Sequence, residues 1–169
     1  MSDGVSSRSS VNDGPFATTA AERVRVLRLG KRVAIVGLSG NPARPSHFVA
    51  IYMRSRGYEV IPVNPREKTI LGVESYPSLT AIPGGVDIVD IFRDPSAVPA
   101  IVEEAIAIGA KAVWMQLGVV QEAAAEKARA AGLAVVMDRC MKIEHARYFG
   151  GLNMLGLNTG VLSARQRFE

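Results

Sequence analysis

A turn that contains two glycines joins an apolar segment to a helical pattern, and its residues could bind a phosphate group. Residues 33–36 have the composition of a fully buried strand, and Gly37 follows them directly. Gly37 allows a tight reversal, Gly40 lets a ligand approach the backbone, and the amides at the start of the helix predicted over residues 46–56 favour an anion. We therefore predict a pyrophosphate-binding turn, although a purely structural turn between strand and helix would also use glycine.

A second group of candidate binding residues follows the next predicted strand. A dinucleotide-binding enzyme usually carries an acidic residue here, which accepts hydrogen bonds from the ribose hydroxyls. At this position the chain has Asn64, Pro65, Arg66, Glu67 and Lys68. Arginine suits a ribose phosphate, so the loop favours NADP or a 3′-phosphorylated adenosine such as coenzyme A over NAD. The alternative is a charged loop that is merely solvated.

Alternating strands and helices must position these two loops. The apolar runs predict strands over residues 33–36, 58–63, 86–92, 112–115 and 133–137. Other runs predict helices over residues 20–29, 46–56, 96–108 and 119–131, and a turn with a single helical turn over residues 72–79. This order implies right-handed crossovers and hence an α/β, Rossmann-like, three-layer fold with a five-stranded parallel sheet. In such sheets ligands bind at the carboxyl ends of the strands, where both loops are expected.

Length and composition limit the domain organisation. The chain has 169 residues, of which 48% are hydrophobic, and we expect one domain over residues 16–169. Residues 1–15 are polar, rich in serine and glycine and without periodicity, which predicts a flexible arm. After Met137 the pattern predicts no long regular element except a final helix over residues 161–167.

Charge and cysteine content narrow the cellular setting and the class of partner. The net charge of +4 fits a phosphorylated ligand about as well as nucleic acid. A single cysteine allows neither an internal disulfide nor a cysteine-based zinc site, and no metal site is predicted. No apolar run approaches the ~20 residues that a membrane helix needs. We expect a cytoplasmic protein with no nucleic-acid or membrane partner, and homo-oligomerisation stays open.

Six stretches in a fixed order carry a more specific signal than the glycine turn alone. They are GLSGNPARPSH (37–47), GYEVIPVNP (57–65), YPSL (76–79), VDIVDIFRDP (86–95), AIAIGAKAVWMQLG (105–118) and VVMDRCMKIEH (135–145). Together they resemble the stand-alone coenzyme A-binding proteins related to the N-terminal domain of the succinyl-CoA synthetase α subunit. The resemblance covers residues 32–145.

This resemblance implies a binding site for coenzyme A at the carboxyl ends of the strands. It places the pyrophosphate on the first turn, nearest to Gly37, Ser39, Gly40, Asn41 and Arg44. It places the adenine and the 3′-phosphate at Val63, Asn64 and Pro65 and the adjacent Arg66 and Lys68, with Phe92 and Arg93 lining the same crevice. It adds cofactor contacts after the fourth strand, at Met115, Gln116 and Leu117.

Cys140 follows the fifth predicted strand and so belongs to the same edge of the sheet. Arg139 and Lys142 flank it, and their charges could favour its thiolate form. If the pantetheine arm reached it, Cys140 could form a mixed disulfide with the coenzyme thiol. A buried, inert thiol is the alternative.

The sequence pattern contains no evident catalytic pair. Asp87 and Asp90 lie three positions apart in the third predicted strand and face opposite sides of it. A succinyl-CoA synthetase also needs a further domain with a phosphorylated histidine, and neither His47 nor His145 lies in one. By this resemblance we expect a non-enzymatic protein that binds coenzyme A or an acyl-CoA as a sensor, carrier or regulatory module. The alternatives are an NADP-dependent or other nucleotide-binding enzyme and an interaction protein with a vestigial fold.

Overall fold

A computed structural model describes residues 17–150, which form seven strands and five α-helices. The strands are β1 (Arg32–Val36), β2 (Glu59–Val63), β3 (Thr69–Ile70), β4 (Val73–Glu74), β5 (Ile88–Ile91), β6 (Ala112–Met115) and β7 (Ala134–Val136). The α-helices are α1 (Ala20–Leu27), α2 (Pro45–Ser55), α3 (Val98–Ala107), α4 (Glu122–Ala130) and α5 (Met141–Phe149). The arm and the final helix expected over residues 1–15 and 161–167 lie outside the described residues.

Five strands form one parallel sheet in the order β2-β1-β5-β6-β7. Because β1 lies between β2 and β5, the chain crosses to one side of β1 and then returns to the other. The carboxyl ends of β1 and β5 therefore form a topological switch point, where open α/β sheets bind ligands. The predicted α/β, Rossmann-like fold with a five-stranded parallel sheet is confirmed.

Both faces of the sheet are covered, which produces three layers. Helices α3 and α4 pack on one face, against residues such as Ala34, Val89 and Val113. Helices α1, α2 and α5 pack on the other face, against residues such as Ile35 and Trp114. Alternate residues of each strand thus enter different cores, and the strands read as continuous apolar runs because both faces are buried.

Helix α5 occupies a region where the sequence pattern did not place a regular element. Its buried face carries Glu144 and Arg147, which no apolar periodicity would reveal. The Glu144 carboxylate pairs with Arg23 Nε of α1 at 2.8 Å and with Arg147 Nη1 at 3.1 Å. Ion pairing allows these charged groups to be buried between α1 and α5.

The short hairpin of β3 and β4 replaces part of the turn predicted over residues 72–79. Its two central residues, Leu71 and Gly72, have φ values of 52° and 74°. Two-residue hairpin turns of this kind favour Asn-Gly or Asp-Gly, and leucine rarely adopts a positive φ. The hairpin therefore lacked its usual sequence signal, while the single helical turn predicted in this region lies at Leu79–Ala81.

Two predicted helix limits also shift. Helix α1 ends at Leu27 rather than at residue 29, and α4 begins at Glu122 rather than at residue 119. Residues before α4 form a turn, in which the Val119 amide donates to the Gln116 carbonyl at 2.8 Å. Within residues 17–150, no helix combines the length and the apolar character that a bilayer crossing requires.

Candidate functional site

The glycine turn after β1 has the reversed backbone that its sequence predicts. Gly37 has a φ of 88°, and its amide donates to the Val63 carbonyl of β2 at 2.9 Å. A Cβ added at Gly37 would lie 2.9 Å from the Phe92 carbonyl oxygen and 2.9 Å from Arg93 Cδ. Only glycine fits here, because both the φ value and the neighbouring loop after β5 exclude a side chain.

Successive backbone amides of this turn are held by oxygen atoms of the protein itself. The Ser39 amide donates to Ser46 Oγ at 3.2 Å, and the Asn41 amide donates to Ser39 Oγ at 3.1 Å. Between them, the Gly40 amide donates to both carboxylate oxygens of Glu67, each at 3.1 Å. The turn is thus a row of amide donors that already holds one anionic group.

Helix α2 begins directly after this turn and leaves its amino end without a side-chain cap. Arg44 is the residue before the helix, and its side chain forms no capping hydrogen bond. Pro45 opens the helix, and the first turn contains no acidic residue. The partial positive charge of the helix start is therefore not offset within α2, and an anion at the turn would be stabilised there.

The loop after β2 is fastened to the glycine turn by Asn64. Its Nδ2 donates to the Leu38 carbonyl at 3.0 Å and to Glu67 Oε1 at 3.2 Å. Its Oδ1 accepts the Arg66 amide at 2.9 Å, and this bond shapes the chain just beyond β2. Asn64 thus sets the separation between the two loops that were expected to share one ligand.

Two adjoining cavities open at this carboxyl edge of the sheet. The larger has a volume of about 450 Å³, and seven predicted site residues line it: Gly37, Ser39, Arg44, Asn64, Arg66, Phe92 and Arg93. The smaller has a volume of about 240 Å³ and includes Val63 and Pro65. Gly37 and Arg93 line both cavities, so the two together form one crevice beside the switch point.

The larger cavity carries an excess of positive charge. Arg44, Arg66 and Arg93 line it, are exposed, and take part in no ion pair among residues 17–150. The acids that line it are Glu67 and Asp94. Hydrogen bonds from the side chain and backbone of Ser96 lower the pKa of Asp94, so that carboxylate has its own partner. Three guanidinium groups thus remain available to a ligand.

A further cavity of about 780 Å³ lies at the opposite edge, where β6 and β7 begin. Its charged lining includes Arg25, Lys111 and Glu22. This cavity has the greater volume, but ligands of open parallel sheets bind at the carboxyl ends of the strands. The crevice beside Gly37 is therefore the candidate site.

The remaining predicted contacts lie outside the linings of these two carboxyl-edge cavities. Gly40 and Asn41 belong to the turn itself, and Lys68 is exposed on the loop after β2. Met115 is fully buried in the core under α3 and α4, Gln116 is also buried, and Leu117 is half-exposed. Contacts of these residues and of Cys140 with a cofactor stay predictions.

Of the two alternatives for Cys140, the structure favours the buried thiol. Burial raises the pKa of the Cys140 thiol, and a hydrogen bond from the Ile143 backbone offsets only part of that effect. The charge of Lys142 also lowers it, but by a smaller amount. Cys140 is therefore a neutral thiol at pH 7 that packs against the core under α1, α2 and α5.

The sequence of the chain matches a known family over most of the described region. A model of the CoA binding domain matches residues 31–146, which include both loops and all five strands of the sheet. The chain belongs to the CoA-binding domain family. The resemblance that the six stretches carry is thereby confirmed.

The relatives of this chain include short proteins, which the match covers almost completely, and a much longer enzyme. The chain is 43% identical over 126 residues to YneT, an uncharacterized protein of Bacillus subtilis, covering 75% of this chain and 93% of that protein. It is also similar in structure to a hypothetical protein from Pyrococcus horikoshii, with a TM-score of 0.76, 39% identity and coverage of 79% and 94%. The ADP-forming acetate–CoA ligase II of Archaeoglobus fulgidus is 31% identical over 90 residues, which are 52% of this chain and 13% of that enzyme.

Sequence reasoning missed two residues that the structure places at or under the site of this domain. In the sequence Glu67 reads only as an acid between Arg66 and Lys68, yet in the structure its carboxylate accepts the Gly40 amide. The sequence predicts on which side of its strand Asp90 lies. It does not predict the hydrogen bond from Gln116, because that residue lies 26 positions away. No local sequence signal identifies Gly40 as the partner of Glu67 or Gln116 as the partner of Asp90.

Asp90 is a completely buried acid beneath the carboxyl edge. Its Oδ1 accepts a hydrogen bond from Gln116 Nε2 at 2.7 Å, while its Oδ2 has no partner in the structure. Burial raises the pKa of Asp90 to about 8, and the hydrogen bond from Gln116 offsets part of this rise. At pH 7 the folded protein therefore holds Asp90 mainly as the neutral acid.

Protonation of Asp90 makes the stability of the domain depend on pH. Between an ordinary carboxyl pKa near 4 and the folded pKa of about 8, the folded state binds one more proton than the unfolded state. The contribution of Asp90 to the free energy of unfolding should therefore fall as pH rises through this window, on the order of 1 kcal/mol per pH unit. In Asp90→Asn this contribution should vanish, so urea unfolding at pH 5 and pH 8 should show a smaller decline than in the wild type.

The neighbouring acid provides a control of opposite sign. The hydrogen bond from Lys111 holds the pKa of Asp87 below its ordinary value despite some burial, so this carboxylate stabilises the fold above pH 4. Asp87→Asn should therefore cost stability at pH 7 and progressively less as the solution is acidified. Parallel pH profiles for the wild type and Asp90→Asn would contradict the assignment of a neutral Asp90.

Proposed function

We propose that this protein binds coenzyme A or an acyl-CoA in the crevice at the carboxyl ends of β1, β2 and β5. The observation that carries the proposal is the continuity of an arginine-rich cavity with a smaller, more apolar one through Gly37 and Arg93. Coenzyme A has the matching layout, because its ribose carries a pyrophosphate on the 5′-oxygen, a phosphate on the 3′-oxygen and a largely apolar adenine ring. Membership of the CoA-binding domain family supports the same ligand.

The pyrophosphate is assigned to the larger cavity. The uncapped start of α2 supplies the partial positive charge of a helix end, and Arg44 and Arg93 supply full positive charges. Guanidinium groups bind phosphate oxygens with two parallel hydrogen bonds, which fixes orientation as well as affinity. This arrangement suits a diphosphate that lies across the switch point between β1 and β5.

The adenine ring is assigned to the smaller cavity. Apolar side chains of Val63, Leu79 and Ile101 line it, and all three belong to the core under α3. Ser78 and Glu104 add polar groups to the lining, and Glu104 is fixed by accepting the Leu79 amide at 2.8 Å. A small, mostly apolar cavity with few polar groups is the usual environment of a bound heterocycle.

The proposed role is binding without turnover, as a sensor, carrier or regulatory module. Polar side chains of the crevice are engaged in holding the backbone: Ser46 accepts the Ser39 amide, and Glu67 accepts the Gly40 amide. His47 likewise lies within hydrogen-bond distance of the Ser39 carbonyl, at 3.0 Å. These contacts support a role in shaping the binding surface rather than a nucleophile positioned against a base.

A panel of ligands measured by calorimetry tests the proposal. Coenzyme A, dephospho-CoA, NADP, NAD and ATP all contain adenosine and phosphate, but they differ in where the phosphates lie. We expect coenzyme A to bind at least about 10-fold more tightly than dephospho-CoA, because Arg66 can pair with the 3′-phosphate. A preference for NADP would favour the nucleotide-dependent enzyme instead, and no binding at all would favour an interaction protein.

Charge reversal at Arg66 should weaken coenzyme A binding by roughly 10- to 100-fold, since a charged hydrogen bond is replaced by repulsion. Dephospho-CoA lacks the 3′-phosphate, so its affinity should change much less in Arg66→Glu. Lys68→Glu should have a smaller effect, because Lys68 does not line either carboxyl-edge cavity. Arg25→Glu makes the same charge change at the opposite edge and serves as the control. Equal losses for the two ligands would contradict the placement of the 3′-phosphate.

A further inference from the structure

Glu67 is the anionic side chain that the glycine turn holds. Both of its carboxylate oxygens lie 3.1 Å from the Gly40 amide nitrogen, and Oε1 also accepts Asn64 Nδ2 at 3.2 Å. A Cβ added at Gly40 would overlap Glu67 Oε2, so the absence of a side chain at Gly40 allows the carboxylate to approach. The turn is therefore built to admit an anion at Gly40.

The acceptor of the Gly40 amide differs in origin and charge from the acceptors of the two neighbouring amides. Hydroxyl oxygens of Ser46 and Ser39 accept the Ser39 and Asn41 amides, and both serines belong to the turn or to α2. Glu67 instead reaches in from the loop after β2, 27 residues away. Because the first turn of α2 has no acidic residue, Glu67 supplies a negative charge close to the helix start.

We infer that Glu67 is an internal competitor for the phosphate site and thereby determines how tightly the crevice binds its ligand. The inference rests on the proposed function. A ligand diphosphate must displace the Glu67 carboxylate from the Gly40 amide, because a carboxylate that stayed in place would repel the phosphate charge at close range. Displacement also breaks the bond between Asn64 and Glu67, so ligand binding releases one of the contacts that hold the loop carrying Arg66.

The chemistry of displacement predicts a gain of affinity on removing the carboxylate. Glu67→Gln keeps the shape of the side chain and an oxygen for the Gly40 amide but removes the charge. Glu67→Ala removes the competitor entirely. We expect coenzyme A to bind about 10-fold more tightly to Glu67→Gln, and more tightly still to Glu67→Ala, as the loss of one close like-charge contact would give.

Calorimetric titrations with coenzyme A and with inorganic pyrophosphate test the inference in the full-length protein. Glu74→Gln, in β4 of the adjacent hairpin, makes the same change of charge on an exposed side chain and should leave both affinities unchanged. Thermal melting confirms that each variant is folded, and the near-isosteric Glu67→Gln provides a result if Glu67→Ala does not fold. The supporting outcome is tighter binding of both probes by the Glu67 variants alone.

Opposite outcomes separate this inference from the proposed function. If the wild type binds coenzyme A and the Glu67 variants bind it equally or more weakly, Glu67 is not a competitor, while the proposed function stands. A weaker affinity would indicate that Glu67 accepts a ligand hydroxyl. If no protein binds coenzyme A, the proposed function fails. Pyrophosphate then decides the inference: a gain in the Glu67 variants supports a competed anion site, and no gain overturns it.

Discussion

Replacing Gly37 by alanine is expected to abolish most coenzyme A binding and to lower the free energy of unfolding by about 2 kcal/mol or more. An alanine at a φ of 88° is strained, and its methyl group would lie 2.9 Å from the Phe92 carbonyl oxygen. Relief of this contact must separate the turn after β1 from the loop after β5. Because both loops contribute to the larger cavity, we expect the affinity to fall roughly 10- to 100-fold. Calorimetry and urea unfolding measure the two effects.

Gly109 provides a matched control for this substitution. It also has a positive φ, 69°, but an added Cβ would meet no atom within 4 Å. Gly109→Ala should therefore carry only the conformational cost, about 1 to 2 kcal/mol, and should leave coenzyme A affinity unchanged. Similar affinity losses in both variants would show that the turn at Gly37 has no special part in binding.

Removal of the Glu144 carboxylate should destabilise the domain by roughly 3 to 5 kcal/mol. Glu144 is 2% exposed, and it pairs with Arg23 of α1 and with Arg147 of its own helix. Glu144→Ala would leave two buried guanidinium groups without their carboxylate, and the Nε of Arg147 already lacks a partner. Chemical unfolding of Glu144→Ala and Glu144→Gln measures this cost.

An exposed ion pair gives the comparison that isolates burial. Glu103 pairs with Lys127 across α3 and α4 at 2.5 Å, with both side chains more than half exposed. Because solvent screens such a pair, Glu103→Ala should change the free energy of unfolding much less than Glu144→Ala does. If Glu144→Ala lowered the free energy of unfolding no more than Glu103→Ala, the buried ion pairs of Glu144 with Arg23 and Arg147 would not be what holds α5 against α1.

The main parts of the fold and of the crevice could be predicted because their signals are local. A strand buried on both faces reads as an apolar run, and Gly37 is needed where the chain reverses. Asn64 and Arg66 follow the next strand directly, so the rule that parallel strands end at one edge places both loops together. No contact between distant residues had to be known for these predictions.

Features that depend on partners distant in sequence could not be predicted. Helix α5 buries Glu144, whose charge hides the helical pattern until Arg23 is brought beside it. Glu67 reads as one charge among three in its loop, and only the folded turn brings it to the Gly40 amide. The sequence left the state of Cys140 open for a related reason: flanking charges are visible in sequence, whereas burial of the thiol depends on packing against the sheet.

Backbone amide chemical shifts recorded during titration with coenzyme A test the location of the site most directly. We predict that the largest changes occur at Ser39, Gly40 and Arg66, with smaller changes at Arg93 on the facing loop. Changes concentrated near Arg25 and Lys111, at the amino ends of β6 and β7, would place the ligand in the opposite cavity and contradict this account.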